Sequence, residues 1–492
     1  MARTTNTPAP LGEIDKATMG IYIALVVIGW LMIYAVNYDP NTPYGFLNLS
    51  NPTGKQLFFM VICFVLIFVI LMTDWAFWRT YAFVFYILSL VILPGTLIFG
   101  REINGAFAWY QFGSFSFQPS ELAKFGTCLA MASFLSSTGV DLRTWRSRFI
   151  AFGIFLLPVG IILLQSDTGS ALVFFSFMLV LYREGLSASW YLLGSSTAAM
   201  VILGLLYEPP VVAAWLMIIV NFRLISRFRE RVQPWWVVYA LLIPLTIWWT
   251  PAFSWFLEKS KIDPAGVPFF SFWIMVPHLI LLIAAFLPNY LRKNSIVQRQ
   301  LQIMMFLLVA GSALAFAANF ACYTVLAPHQ QQRIKIWLKP AEAAAEARGS
   351  AYNLLHSKMA IGSGGFVGKG FLDGNMTKLK YVPEQSTDFI FCTIGEEQGF
   401  IGVVAIIALF TMLLYRITVL AERQRSNFSR TYAYCVAGII FTHFMVNIGM
   451  TMGLFPIIGI PLPFISYGGS SIIGSTLMIA VLLKLDSHRN QA

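Results

Sequence analysis

The sequence predicts an all-α polytopic membrane protein, a single transmembrane domain spanning residues 1–492. Three observations predict it. Hydrophobic residues make up 58% of the chain and charged residues 11%, against about 25% charged in an ordinary soluble domain. Apolar runs long enough to cross a bilayer recur from one end to the other. The basic residues gather in alternate short connections, the pattern of loops held at one membrane face.

The apolar runs fall in order along the chain. Met19–Val36, Leu57–Met72, Thr80–Phe99, Leu122–Leu135, Phe149–Leu164 and Ser170–Tyr182 come first. Tyr191–Tyr207, Val211–Phe222, Trp235–Leu257, Phe269–Leu287 and Ile303–Cys322 follow, then Phe389–Tyr415, Thr431–Met450 and Ser471–Leu483. That is about fourteen spans by the apolar-length criterion. Met1 to Ala17 lacks a cleavable leader pattern, so the first run is expected to stay as an anchor.

With the N-terminus inside, the inner loops hold Arg79, the group Arg143, Arg146 and Arg148, the group Arg223, Arg227, Arg229 and Arg231, and the group Arg416, Arg423, Arg425 and Arg430. The short outer loops hold few cations. Both termini are therefore expected to be cytoplasmic. The net charge of +11 is explained by loops facing anionic headgroups. Membrane lipids are the expected contact, and no nucleic acid. The five cysteines, Cys63, Cys128, Cys322, Cys392 and Cys435, sit in or beside apolar runs without metal-type spacing and read as free buried thiols.

Three outer segments are more than connectors: Arg101 to Ser120, the long loop of residues 327–387, and Gly453 to Gly469 with its three prolines. Proline at that density excludes a continuous helix in the last. Within the long loop, Pro340 to Gly349 reads as a short helix. Residues 208–322 carry inserted spans with few charges, and His278 there reads as a packed histidine.

The candidate chemistry centres on Asp388, where the long loop turns into the apolar run Phe389-Ile-Phe391. A carboxylate there is costly unless it has a partner or a task. It suits a general base, and it equally suits a helix N-cap. Before it comes the glycine-rich stretch Gly362-Ser-Gly-Gly-Phe-Val-Gly-Lys-Gly370. Glycines beside Lys369 would let backbone amides approach an anion. Lys358, Lys369 and Arg333 are candidate contacts for a diphosphate. Glu121 and Lys124 share a helix face at the start of a span, as substrate contacts or as an ion pair orienting the first loop. Asp167 either pairs with Lys124 or caps a helix, and a site-shaping role is expected. Glu396 and Glu397 read as a structural network with one of them facing inward.

Four segments together resemble the SEDS family of polytopic cell-wall proteins. They are Asn104-Gly-Ala to Trp109 with Phe117-Gln-Pro-Ser-Glu-Leu-Ala-Lys124; Gln165-Ser-Asp-Thr-Gly169; Tyr352 to Gly370 with Thr387-Asp-Phe-Ile-Phe391 and Gly395-Glu-Glu-Gln-Gly399; and Val446-Asn-Ile-Gly449 through Gly459-Ile-Pro-Leu-Pro-Phe464 to Ser470. They stand in family order, and the Gly459-Ile-Pro-Leu-Pro-Phe464 form looks most like the RodA branch.

The resemblance implies a ten-span core, to which this chain adds about four inserted spans. It implies a peptidoglycan glycosyltransferase of cell-wall elongation and cell shape that polymerises lipid II at the outer face of the cytoplasmic membrane. Asp388 matches the family's catalytic aspartate, and a class B penicillin-binding protein, a transpeptidase, is the implied partner. No cofactor is certain. A divalent cation, magnesium or manganese, stays open, because Asp388 offers an oxygen ligand without a paired-carboxylate motif. The chain departs from the family at Ala108, at Ser116, at Leu338-Lys-Pro340 and at Ser166, which leaves open which cations hold the substrate but does not alter the assignment of Asp388. The alternatives are a lipid II transporter or flippase, which would form no polymer, a non-catalytic scaffold, which would tolerate loss of Asp388, and a division enzyme of the FtsW type.

Overall fold

The computed structural model describes residues 14–38, 48–103, 105–113, 115–227, 278–280, 282–283, 295–326, 328–338 and 350–489. The chain forms two compact units, residues 1–187 with 340–492, and residues 188–339.

The first unit opens with α1 (Lys16–Asn37). The Asp15 carboxylate accepts from the Thr18 amide at 2.9 Å and from the Thr18 hydroxyl at 2.6 Å, pairing donors that a helix start leaves open. α2 (Pro52–Met72) begins on proline, whose missing N–H has no partner to lose at that position. Asp74 caps the short α3 (Trp75–Thr80), and α4 (Ala82–Phe99) follows.

The segment that follows α4 is a small antiparallel sheet, an addition to the all-α expectation. It comprises β1 (Arg101–Ile103), β2 (Ala106–Phe112) and β3 (Phe115–Phe117) in that order. The aromatic residues of β2 are strand formers, and Gly105 and Gly113 turn the chain at φ 83° and 59°. The Tyr110 hydroxyl donates to the Ile92 carbonyl at 2.9 Å, and the Phe107 amide donates to the Gln165 carbonyl at 3.0 Å. The sheet is thus tied to the helix ends beneath it.

α5 (Pro119–Leu135) and α6 (Trp145–Leu164) match predicted spans. The span predicted over Ser170–Tyr182 is two short helices, α7 (Thr168–Phe174) and α8 (Phe177–Arg183).

The second unit contains α9 (Ala188–Leu206), α10 (Pro209–Arg227), α11 (Ser295–Phe320) and α12 (Pro328–Leu338). α9 and α11 meet backbone to backbone: a Cβ at Gly204 would lie 2.6 Å from the Ala315 carbonyl oxygen, the close approach that small residues permit between membrane helices. His278 is buried. The predicted span Trp235–Leu257, most of Phe269–Leu287 and the short helix over 340–349 lie outside the described residues.

The first unit resumes with α13 (Ser350–Ser363), α14 (Asn375–Lys378), α15 (Ile390–Glu422), α16 (Asn427–Met452) and α17 (Gly469–Ser487). α16 and α17 form the centre of this unit, and α2 and α4 turn large apolar side chains outward, Phe64 and Ile98 among them. Helices apolar on every side belong in lipid. Among the described residues nine helices are long and apolar enough to cross a membrane, with two shorter apolar helices beside them. The protein is a multi-pass membrane protein.

Past the last turn of α15, at the end away from Asp388, an ion network binds α1, α15 and α17. The fully buried Asp486 accepts two bonds from the Arg423 guanidinium and one from Gln424 at 2.8 Å. Arg416 pairs with Asp15. Burial raises the Asp15 pKa, but its bonds from Thr18 and Arg416 outweigh that and hold it below the usual carboxylate range. Replacing Asp486 by alanine removes the bidentate acceptor of Arg423, which keeps only Asp15 at 3.6 Å, and leaves Gln424 with the Leu420 carbonyl at 3.1 Å. A loss of about 1.5–3 kcal/mol is expected, the range for hydrogen bonds to a charged group. Thermal unfolding in detergent checks it, and an unchanged midpoint would contradict it.

Candidate active site

Asp388 stands in the turn before α15. Its amide donates to the Glu384 carbonyl at 3.0 Å, as do the Thr387 and Phe389 amides at 3.3 Å. Glu384 itself adopts φ 53°, a left-handed conformation that a residue with a side chain enters at a cost. The helix begins at Ile390, with Phe389 in the capping position and no side-chain cap bond. Asp388 therefore does not fill the N-cap position that its sequence context equally suggested.

Two buried elements fix where the aspartate sits. The Asn447 amide donates to the Asp388 carbonyl at 2.9 Å and to the Ile460 carbonyl at 2.7 Å. Gly459, at φ 76°, comes so close that a Cβ there would lie 3.1 Å from Asp388 Oδ2. The Tyr467 amide donates to the Ser386 carbonyl at 2.8 Å. The irregular segment between α16 and α17 thus backs the Asp388 turn along its length. Ile460, Leu462 and Phe464 of that segment are buried. Non-helical backbone is tolerated at membrane depth only where protein surrounds it.

The glycine-rich stretch has a different task from the anion contact expected of it. α15 breaks at Gly399, where φ is 62° and ψ −159°, a region open essentially to glycine alone. The Phe400 and Ile401 amides donate instead to the Gly365 and Phe366 carbonyls at 2.9 and 3.2 Å. The Glu396 and Glu397 carbonyls, freed by the same break, accept from the Lys369 and Gly370 amides at 3.1 and 3.0 Å. The loop stands in for the missing helical rungs. Side chains would block that approach. A Cβ at Gly364 would lie 1.9 Å from the Gly395 carbonyl oxygen, and one at Gly368 2.1 Å from that of Glu397.

Lys369 accordingly pairs inward, its Nζ 2.7 Å from Glu396 Oε1. Glu396 also accepts from the Met376 and Thr377 amides at 2.9 and 3.0 Å and from the Thr377 hydroxyl at 2.8 Å. Gln385 bridges the Thr377 and Thr393 hydroxyls at 2.9 Å each. Glu396 and Glu397 are both buried, where one was expected to face inward.

The remaining candidates separate. Lys358 is exposed on α13, and its Nζ reaches the C-terminal end of α16, where a Cβ on Gly453 would lie 2.6 Å from it. Carbonyls at a helix end favour a cation. Lys124 and Glu121 pair at 2.7 Å with side chains 1% and 4% exposed, so neither is open to a substrate. They form an ion pair. Asp167 does not meet Lys124. It caps α7 through the Ser170 amide at 2.9 Å and accepts from Gln118 at 2.8 Å, which fastens the segment after the small sheet to α7. Gly169 beside it packs on the Ile458 and Gly459 carbonyls. Arg333 is half-buried on α12 of the second unit. Asn447 lies in the segment Val446-Asn-Ile-Gly449, and its role emerges only from these bonds. Its signal was an amide inside an apolar span, where polar groups rarely stand idle.

A family model, FTSW_RODA_SPOVE, described as a cell cycle protein, matches residues 16–240 and 295–491. The chain belongs to this family. It is 27% identical over 485 residues to the peptidoglycan glycosyltransferase RodA of Treponema pallidum (strain Nichols), covering 97% of this chain and 99% of that one. It is 27% identical over 405 residues to the peptidoglycan glycosyltransferase MrdB of Escherichia coli (strain K12), covering 82% and 77%. Among solved structures, a chain of a peptidoglycan synthase complex that coordinates polymerization and crosslinking superposes with a TM-score of 0.60 at 23% identity, over 97% of this chain and 99% of that one. The rod shape determining protein RodA of Thermus thermophilus gives 0.55 at 22% identity, over 98% and 100%. These two establish the shared fold.

The role of the loop glycines is testable by a pair of substitutions. Gly368→Ala places a methyl group against the Glu397 carbonyl at a φ of 89° and is expected to abolish recovery of folded protein. Gly362→Ala, in α13 with nothing within 4 Å, is expected to be tolerated or to stabilise by up to about 1 kcal/mol. Size-exclusion profiles of the two compare them directly, and equal recovery would contradict the docking.

Proposed function

We propose that this chain is a peptidoglycan glycosyltransferase of the RodA type that polymerises lipid II during cell-wall elongation. One observation carries the reading: Asp388 is only half-buried at the mouth of an apolar helix, while its carbonyl is held by Asn447 and its carboxylate is backed by Gly459. A base needs both access to its substrate and a fixed position. The family match and the relatives named as peptidoglycan glycosyltransferases support it.

In this reading Asp388 takes the proton of the acceptor sugar hydroxyl. The hydroxyl oxygen forms a bond to the anomeric carbon of the donor. The bond from that carbon to the diphosphate oxygen breaks, and undecaprenyl diphosphate leaves with the electron pair. One direct displacement inverts the anomeric centre. Gly453, the C-cap residue of α16 that Lys358 Nζ approaches from α13, stands six residues from Asn447, about 9 Å by helical rise, and Lys358 is assigned to the diphosphate.

Among the described residues no group of three or more His, Cys, Asp or Glu side chains could hold a metal ion. Asp388 could supply one oxygen ligand to a divalent cation, which would complete its shell with water and diphosphate, the usual manner of magnesium. When bound it would neutralise charge on the leaving group.

The orientation follows the positive-inside pattern, with both termini cytoplasmic and Asp388 at the outer face of the cytoplasmic membrane. The proposed partner is a class B penicillin-binding protein, supported by the likeness to a chain of a peptidoglycan synthase complex. Residues 208–322 are assigned as inserted transmembrane helices. The family match leaves out residues 241–294 within that stretch.

The break in α15 and the irregular segment after α16 would also suit a transporter of the same lipid. Purified protein with its partner and labelled lipid II separates the readings. Glycan chains are expected. Lipid II bound without any chain formed would favour transport or a scaffold. Lys358→Ala is expected to raise KM about 10-fold or more, the equivalent of one lost charge-assisted contact, with a smaller change in kcat. An unchanged KM would remove Lys358 from the diphosphate site.

A further inference from the structure

α16 carries two polar side chains one turn apart that reach the same irregular segment. Asn447 Nδ2 donates to the Ile460 carbonyl at 2.7 Å, and His443 Nδ1 lies 3.1 Å from the Pro461 carbonyl oxygen. Spacing of i, i+4 puts both on one helix face. Pro461 and Pro463 carry no N–H, which limits the bonds this segment can make within itself. Asn447 and His443 are 0% and 4% exposed.

The neighbours of His443 fix its protons. A carbonyl oxygen only accepts, so Nδ1 carries the hydrogen. Nε2 then presents a lone pair, and 2.9 Å away stands the Lys124 ammonium, which only donates. Glu121 accepts from the same ammonium at 2.7 Å. The donors therefore run in one direction, from Lys124 to His443 to the Pro461 carbonyl. A second ring proton would point at a cation. A neutral imidazole with hydrogen on Nδ1 is the one form that satisfies both neighbours.

Two residues before Pro461 is Gly459, the residue that backs the Asp388 carboxylate. We propose that His443 is a positioning residue for Asp388. Held in one tautomer by Lys124, it fixes the Pro461 carbonyl. Together with Asn447 on Ile460, it sets where Gly459 stands against the carboxylate. The ion pair of Glu121 and Lys124 thereby acts on the site from within the protein, without touching substrate. This inference rests on the assignment of Asp388 as the base.

Two measurements test it. In ¹⁵N-histidine spectra of the purified protein, His443, assigned by its absence in His443→Gln, is expected as the Nδ1–H tautomer. An Nε2–H tautomer or a doubly protonated ring would overturn the proposal whether or not the protein polymerises lipid II. In the polymerisation assay, His443→Leu removes both bonds. It is expected to lower kcat by about 10- to 100-fold, the scale of an ångström-sized misplacement, with KM within about twofold. His443→Gln keeps one donor and one acceptor and is expected to restore most of that loss. Wild-type kcat in His443→Leu would overturn the proposal while leaving the proposed activity standing. So would equal losses in both variants at an unchanged thermal midpoint. Absence of polymer from the wild type would instead count against the activity itself.

Discussion

Gly399 gives α15 a turn that no other residue would readily adopt, and the amides of Phe400 and Ile401 lose their partners one turn back. In an apolar surrounding each unpaired amide or carbonyl costs several kcal/mol. Four backbone bonds from residues 365–370 restore the pairing. Those bonds require Gly364 and Gly368 to have no side chains. They also bring Lys369 to Glu396, and Glu396 in turn orders the Met376–Thr377 turn. One interruption in one helix therefore determines the course of the chain that leads up to Asp388.

The segment between α16 and α17 meets the same constraint differently. It has no regular partner strand or helix, and its carbonyls at Ile460 and Pro461 are taken by side chains from α16. Ser466 closes a turn within it, its hydroxyl accepting from the Leu462 amide at 2.9 Å. α1 supports it from behind: a Cβ at Gly29 would lie 2.5 Å from the Phe464 carbonyl oxygen. Phe464, at φ 66°, packs edge-on against Tyr22. Strain in such a place persists only when the surroundings over-determine it. The result is a rigid wall behind Asp388, the property a base needs to meet a sugar hydroxyl at a fixed distance.

Much of this was legible in the sequence, and the rest was hidden for identifiable reasons. Apolar length located the spans of the first unit, because lipid demands it. The Ser170–Tyr182 span broke in two, since composition does not reveal where a helix stops inside an apolar layer. Asp388 was conspicuous as a carboxylate at the edge of such a layer. The loop glycines were noticed, but glycine signals close approach without naming what approaches, and the neighbour proved to be a helix backbone. Lys124 and Glu121 shared a face as expected. Their burial depended on α16 and α17, more than 300 residues away in sequence. The choice between capping and pairing at Asp167 turned on Gln118 and Ser170, which spacing alone could not rank. The small sheet over residues 101–117 was short enough to pass as loop.

In the proposed mechanism the chemistry falls on Asp388 and substrate binding on other groups. Asp388→Asn keeps the size and the backbone bonds of the turn while removing the base. Lipid II affinity and single-turnover transfer, measured on the same purified sample with its partner, test this most directly. Affinity within about twofold of wild type is expected, with transfer slowed by about 100-fold or more, the range for loss of a general base. Transfer at the wild-type rate would contradict it and return Asp388 to a structural role.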